Sequence, residues 1–254
     1  MTTFVTSIFY LSNSNPNDNR KSIENRLKYF EEIVNYGIKI SIVCCPYYEK
    51  ILKPLLDKYD NIKIIEVMNL SDTIIYKICK EYERKYEKLK LPLVRDNDKD
   101  DDEYLILMNS KIEFVKKAID INIWNSNYFC WIDFSIKYMI KNEDIFKNYI
   151  NKLKCYEMSL NHELNIIIPG CEEKAEIITW HPIWRYSGSI FYGHKDGLVQ
   201  FYNINNEYFY KFLETYSLLT WEITVWAWFE YINVFNPVWV HGRHNESIIS
   251  FVNN

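Results

Sequence analysis

The stretch that decides the fold is Asn125-Ser-Asn-Tyr-Phe-Cys-Trp-Ile-Asp-Phe-Ser-Ile136. Tyr128 to Ile132 is a short, almost wholly apolar run of aromatic and β-branched residues, which predicts a buried strand. The run then meets Asp133, with apolar Phe134 directly after it. Open α/β sheets place their ligand chemistry at the carboxyl ends of buried strands, so Asp133 is the first candidate for a functional group. A turn or helix cap is the alternative use of an aspartate there.

Outward from this run, the amino-terminal part alternates strand and helix patterns. Phe4 to Leu11 reads as a strand that leads into a polar loop, Ser12 to Asn19. Ser22 to Tyr36 has helical periodicity, and Gly37 is a plausible stop. Ile38 to Cys45 reads as a second strand, Tyr47 to Tyr59 as a helix and Asn61 to Val67 as a third strand. This β-α-β-α-β succession predicts a parallel sheet with right-handed crossovers. A charged helix follows Ser71. Asp96 to Glu103 reads as a mobile acidic surface loop without the spacing or glycine of a calcium-binding loop.

Tyr104 to Ile121 reads as one helix delivering the chain to the central strand. A helix around Asp144 to Leu153, a strand at Leu164 to Ile168 and a Pro169-Gly170 turn come next. Ile177 to Trp180 is a further strand candidate, and Lys195 to Tyr216 and Thr220 to Tyr231 are helix candidates. Pro237 to Phe251 reads as a strand, a polar corner and a short last element. With no internal repeat or flexible linker, the expectation is one α/β domain over residues 1–254, with a mainly parallel central sheet flanked by helices.

The bulk composition narrows the partners. The chain has 254 residues, 48% hydrophobic and 25% charged, as an ordinary globular protein has. A net charge of -4 gives no general attraction for nucleic acid or an anionic membrane surface. No run reaches the roughly 18 apolar residues that span a bilayer. The amino terminus lacks the pattern of a signal peptide, so a cytoplasmic setting is expected. The six cysteines form no C-x-x-C pair and read as reduced thiols.

Four further segments carry candidate chemistry. Asn109 and Lys111 stand in the helix before the central strand; Asn109 suits a helix cap, and Lys111 a solvent-facing position. In Arg185-Tyr-Ser-Gly-Ser-Ile-Phe-Tyr-Gly193, two scarce glycines, Gly188 and Gly193, bracket an apolar run, which suggests close backbone approach to a ligand or a tight turn. Ser187 and Arg185 are polar groups beside it, and Arg185 suits either a phosphate or an ion pair. Glu222 stands among tryptophans in Trp221-Glu-Ile-Thr-Val-Trp-Ala-Trp228. Such surroundings suit general acid-base work, although a glutamate there also favours a helix N-terminus. The last polar corner, His241-Gly-Arg-His-Asn-Glu-Ser247, holds His241, Arg243 and His244.

Three of these pieces together carry a family resemblance. Asn109-Ser-Lys-Ile-Glu-Phe-Val-Lys-Lys-Ala118, Asn125-x-x-Tyr-Phe-x-Trp-Ile-Asp-Phe134 and Ser187-Gly-Ser-Ile-Phe-x-Gly193 resemble the HtrL/YibB family, which is related to glycosyltransferases of the GT-A fold. The resemblance covers about half of the chain, chiefly residues 104 to 250. It implies a GT-A-like, Rossmann-like domain that moves a sugar from a UDP- or GDP-sugar donor to a hydroxyl acceptor on a glycan or protein. It also implies a divalent metal, Mn2+ or Mg2+, at Asp133, with His244 as a second ligand. Lys111, Asn109, Arg185, Ser187 and Gly188 would then line the donor site, and Glu222 would serve the acceptor or the transition state. GT-A enzymes usually carry Asp-x-Asp at the strand end; here Asp133-Phe-Ser135 leaves Ser135 or a water to complete the coordination. A fold-retaining protein without activity is the other reading, and the composition does not set the oligomeric state.

Overall fold

The computed structural model describes residues 1–12, 22–158, 164–174 and 181–253. Its α/β architecture is the expected one: a seven-stranded, mostly parallel sheet flanked by helices. The strands are β1 (Thr2–Ile8), β2 (Lys39–Cys44), β3 (Ile62–Val67), β4 (Tyr128–Ile132), β5 (Ile166–Gly170), β6 (Ile190–His194) and β7 (Val238–His241), in the order β3-β2-β1-β4-β6-β5-β7. β1, β2, β3 and β4 are mutually parallel. β6 runs against both β4 and β5, and β7 lies parallel to β5.

Strand β4 holds the centre because its residues are apolar on both faces, and β1 beside it is buried along nearly its whole length. All five residues of β4 are buried, as strands covered on both sides must be. β4 pairs with β1 through Thr2↔Tyr128 to Val5↔Trp131, and with β6 through Tyr128↔His194 to Ile132↔Ile190. From β1 the chain steps outward to β2 and then β3, and returns to place β4 on the opposite side of β1. The connections therefore diverge between β1 and β4, where an open α/β sheet leaves a crevice at its carboxyl edge.

The helices begin and end on local signals. α1 (Ile23–Val34) is capped by Ser22, whose side chain accepts from Asn25 N, and Gly37 at φ +67° turns the chain just past its end. α2 (Pro46–Lys58) opens on proline, whose missing N–H is no loss in a first turn. α3 (Ile74–Lys85) is capped by Thr73. α4 (Asp102–Asn109), α5 (Lys111–Ile121), α6 (Glu143–Leu153), α7 (Lys195–Tyr216) and α8 (Glu222–Tyr231) follow. α5 packs on β1, β3 and β4, and α7 on β4 and β6; α3 and α8 lie against α7, and α4 joins α8 to α5.

Three expectations are corrected. The single helix expected over Tyr104 to Ile121 is two helices meeting at Ser110. At the junction Ser110 N donates to both Ile106 O and Leu107 O, at 3.0 and 3.1 Å, and Ser110 Oγ also donates to Ile106 O at 2.8 Å, so the last turn of the first helix tightens there. Pro169-Gly170 is not a turn but the end of β5, paired with Val240 and His241 of β7. Proline is tolerated because the section of β5 paired with β6 covers only Ile166 and Ile167. The acidic stretch is a folded turn rather than a loose loop. Asp100 is buried and accepts from Asp96 N at 3.1 Å, Asp101 caps α4, and Asp102 and Glu103 belong to that helix. The strand candidate at Ile177 to Trp180, and all of the polar loop after Ser12, lie outside the described residues.

Candidate active site at the carboxyl end of β4

Asp133 is the first residue beyond β4, and its backbone is fixed on both sides. Its N–H donates to Ser189 O at 3.0 Å, and its carbonyl accepts from Ile136 N at 2.9 Å, which closes the turn. Phe134 anchors that turn by stacking on Phe30 of α1, with ring centroids 4.2 Å apart. Among the described residues, Asp133 Oδ1 accepts from Trp131 Nε1 at 2.9 Å and lies 3.1 Å from Lys111 Nζ. Oδ2 takes no hydrogen bond from the described residues, and the side chain is 35% exposed.

Lys111 is buried, only 2% exposed, and is the centre of the cluster. Its ammonium donates to Glu222 Oε1 at 2.8 Å and to Gly188 O at 2.8 Å, and faces Asp133 Oδ1. An ammonium has three N–H donors, and these three partners account for all of them. Burial favours the neutral amine, but Asp133 and Glu222 outweigh it and hold the Lys111 pKa above its ordinary value. Two carboxylates and one ammonium leave the cluster with one net negative charge.

The expected site residues divide between this cluster and structural positions. Asp133, Lys111, Glu222 and Gly188 come together. Lys111 does not face solvent, since the break at Ser110 turns the start of α5 into the core. Glu222 is 4% exposed, so it meets Lys111 rather than the crevice. The close backbone approach at Gly188 is to Glu222: a Cβ there would stand 1.7 Å from Glu222 Oε1. Asn109 is fully buried and joins α4 to the entry of α8, donating to Leu105 O and to Thr220 O, both at 2.8 Å. Ser187 is buried, with its hydroxyl 2.8 Å from that of Ser189. Arg185 forms a two-bond fork with Glu230 at 2.9 and 2.8 Å and lies 4.6 Å from the Trp239 ring centre. That fork is already filled by a carboxylate.

His244 is brought toward Asp133 from the far end of the chain. Burial lowers its pKa, and the charges acting on it are Asp133, which raises it, and Lys99, which lowers it. Its ring also lies 5.7 Å from that of Trp184. A carboxylate oxygen and a neutral imidazole are suitable donors for a divalent cation of the manganese type. Among the described residues no group of three or more His, Cys, Asp or Glu is placed to hold a metal ion. A cation held by Asp133 and His244 would therefore need most of its shell from ligand phosphate and water.

Residues that the sequence did not single out complete the surroundings. Tyr104 has a phenol pKa well above the ordinary value, through burial first and then the charges of Glu222, Asp133, Asp100 and Asp96. The acidic turn and Asp133 thus act on one side chain. At the carboxyl ends of β1 and β2, exposed Tyr10 and Tyr47 lie with ring centroids 5.3 Å apart, and Tyr48 adjoins Tyr47 at 5.2 Å.

No protein-family model and no curated protein sequence matches this chain. Among solved structures, it is similar to 4-diphosphocytidyl-2C-methyl-D-erythritol synthase from Anaerococcus prevotii, with 13% identity, 99% of this chain and 94% of that chain covered, and a TM-score of 0.46. It is also similar to mouse xyloside xylosyltransferase 1 in its apo form, with 7% identity, coverage of 95% and 85%, and a TM-score of 0.46. Similarity at that level assigns no activity to this chain. No helix among the described residues is long and apolar enough to cross a membrane.

Proposed function

We propose that this protein is a GT-A-type glycosyltransferase of the HtrL/YibB kind, moving a sugar from a nucleotide-diphosphate donor to a hydroxyl acceptor on a glycan or protein. The observation that carries the reading is Asp133, a partly exposed carboxylate at the end of β4, beside the divergence of β1 and β4. It is aimed by two donors on one oxygen, with the other left for a ligand.

In the proposed reaction the acceptor oxygen bonds to the anomeric carbon as the bond from that carbon to the diphosphate breaks. The electron pair leaves on the diphosphate, and the acceptor proton passes to a base. Charge growing on the leaving group is the main demand. A divalent cation, Mn2+ or Mg2+, held by Asp133 with His244, would supply positive charge there. Lys111 keeps Asp133 Oδ1 fixed, and Glu222 holds Lys111, so Glu222 acts through Lys111 rather than on the acceptor. The exposed Tyr10 and Tyr47 rings offer an apolar face for a base or a sugar.

Calorimetry with UDP- and GDP-sugars, with and without manganese, tests the proposal. Binding that strengthens with manganese and is lost in Asp133→Asn is the expected result. Absence of binding under every condition overturns the enzyme reading. One observation favours the alternative, a binding protein on the same fold without activity. The carboxylate that would hold the metal is already ion-paired with a buried lysine. Donor binding without turnover of donor by any acceptor would select that reading.

A further inference from the structure

Arg26 occupies the third point of the carboxyl edge and, unlike the cations Lys111, Lys137 and Arg185, faces no carboxylate among the described residues. Lys111 faces two carboxylates, Lys137 faces Glu32 and Glu143 at 3.1 and 2.7 Å, and Arg185 faces Glu230. Arg26 is half-buried in the first turn of α1. Its described hydrogen-bond partners are two neutral hydroxyls at the long end of the range: Nε to Ser135 Oγ and Nη1 to Tyr48 Oη, both at 3.4 Å. Its Cζ lies 5.9 Å from the ring centres of both Tyr48 and Phe134. No carboxylate among the described residues pairs with it. A guanidinium has five N–H donors and stays charged in proteins, so the described residues take up only part of its capacity. Burial presses its pKa downward and only the Tyr48 phenol opposes this.

The position is as informative as the pairing. Ser135 is two residues beyond Asp133 on the same turn, Phe134 lies between them, and Tyr48 is in the first turn of α2. Arg26 therefore stands where the first turns of α1 and α2 meet the turn after β4. All three follow parallel strands and sit at the carboxyl edge of the sheet. Both helix starts add positive potential there. By contrast, the Asp133-Lys111-Glu222 cluster carries a net negative charge and would repel a diphosphate on its own. A partly desolvated guanidinium given no carboxylate by the described residues gains when an oxyanion binds.

We propose that Arg26, with the hydroxyls of Tyr48 and Ser135, is an oxyanion seat that receives a phosphate of the ligand whose other end meets Asp133. Read with the proposed function, the anion is the diphosphate of the nucleotide-sugar donor, and this part rests on that reading. Arg26 contacts the ligand, whereas Lys111 holds the aspartate. Tyr48 and Ser135 hydroxyls then donate to the same phosphate oxygens.

The test is calorimetry on the full chain with uridine diphosphate, uridine and inorganic pyrophosphate as probes, comparing wild type, Arg26→Gln and Arg26→Lys. The expected result is at least tenfold weaker binding of uridine diphosphate and of pyrophosphate by Arg26→Gln, with partial recovery in Arg26→Lys and unchanged binding of uridine. Thermal unfolding without ligand is expected to leave Arg26→Gln as stable as wild type or more so, because no ion pair is broken. A purely structural arginine would lower it. Uridine diphosphate binding within twofold of wild type in Arg26→Gln overturns the seat and leaves the donor reading standing. Pyrophosphate binding that depends on Arg26, with no nucleotide bound, supports the seat and overturns the donor reading. Absence of both overturns the two together. Should Arg26→Gln fail to fold, Arg26→Lys carries the test, since loss of the planar fork with the charge kept still weakens diphosphate binding.

Discussion

Lys111→Met removes the ammonium that balances Asp133 and Glu222 and leaves a buried carboxylate unpaired. Glu222 is 4% exposed and its Oε1 accepts from Lys111 Nζ at 2.8 Å. Breaking one side of a buried pair in this way costs about 3–5 kcal/mol. For a chain of this size each kcal/mol moves the melting temperature by about 2–4 °C, which gives a fall of roughly 6 to 20 °C. Replacing both partners by apolar residues of similar volume, Lys111→Met with Glu222→Leu, removes the stranded charge and is expected to recover most of the loss. Urea unfolding of the four proteins gives the coupling between the two positions, expected at about 2 kcal/mol or more. The measurement should include the slope of each transition, so that a change in the unfolded state is recognised. If each single variant costs under about 1 kcal/mol and the effects simply add, the ammonium is not what holds the cluster, and the positioning of Asp133 through Lys111 is refuted.

Gly188→Ala is expected to destabilise through the same cluster, because its Cβ would stand 1.7 Å from Glu222 Oε1 and would push that carboxylate off Lys111; thermal unfolding of Gly188→Ala, Glu222→Ala and the double variant checks this, the cost of Gly188→Ala being smaller once Glu222 is already alanine. Trp131→Phe removes the Nε1 donor from Asp133 Oδ1, and loss of a hydrogen bond to a charged group costs about 1.5–3 kcal/mol at most; the expected signature is weaker donor binding in calorimetry with the fold retained. Alkaline pH is expected to destabilise the protein through its buried thiols. Burial raises the Cys44 thiol to about 12 and also drives Cys79 and Cys130 upward. Their stabilisation is complete below the unfolded thiol value near 8.5 and falls as pH rises above it, by about 1.4 kcal/mol per pH unit for each thiol. Urea midpoints between pH 7.5 and 10.5 follow this, and a flat profile would contradict it.

The strand at Tyr128 to Ile132 was readable to the residue because it is apolar on both faces, a pattern that burial in a central parallel strand demands. The parallel course of β1, β2 and β3 followed from β-α-β spacing, which permits little else. The antiparallel course of β6 and the placing of β5 between β6 and β7 depend on pairings across tens of residues, to which local periodicity is blind. The site was readable in part for the same reason. Asp133 sits next to its own strand, but Glu222 lies 111 residues from Lys111 in the chain, and only the fold brings them to 2.8 Å.

A local signal for the hidden cations was nevertheless present. On α5 the buried apolar positions are Ile112, Phe114, Val115 and Ala118, and Lys111 falls three and four residues before Phe114 and Val115, on the same stripe. On α1 the apolar stripe runs through Ile23, Leu27, Phe30, Ile33 and Val34, and Arg26 stands three residues after Ile23 and four before Phe30. A charged residue inside an apolar stripe must either break the helix face or find a reason to be buried. Lys111 finds it in two carboxylates, and the break at Ser110 places it there. Arg26 has two neutral hydroxyls. The two cations share a sequence signature and differ in that, among the described residues, only Lys111 is given a counter-charge, which is the contrast the proposed Arg26 seat builds on.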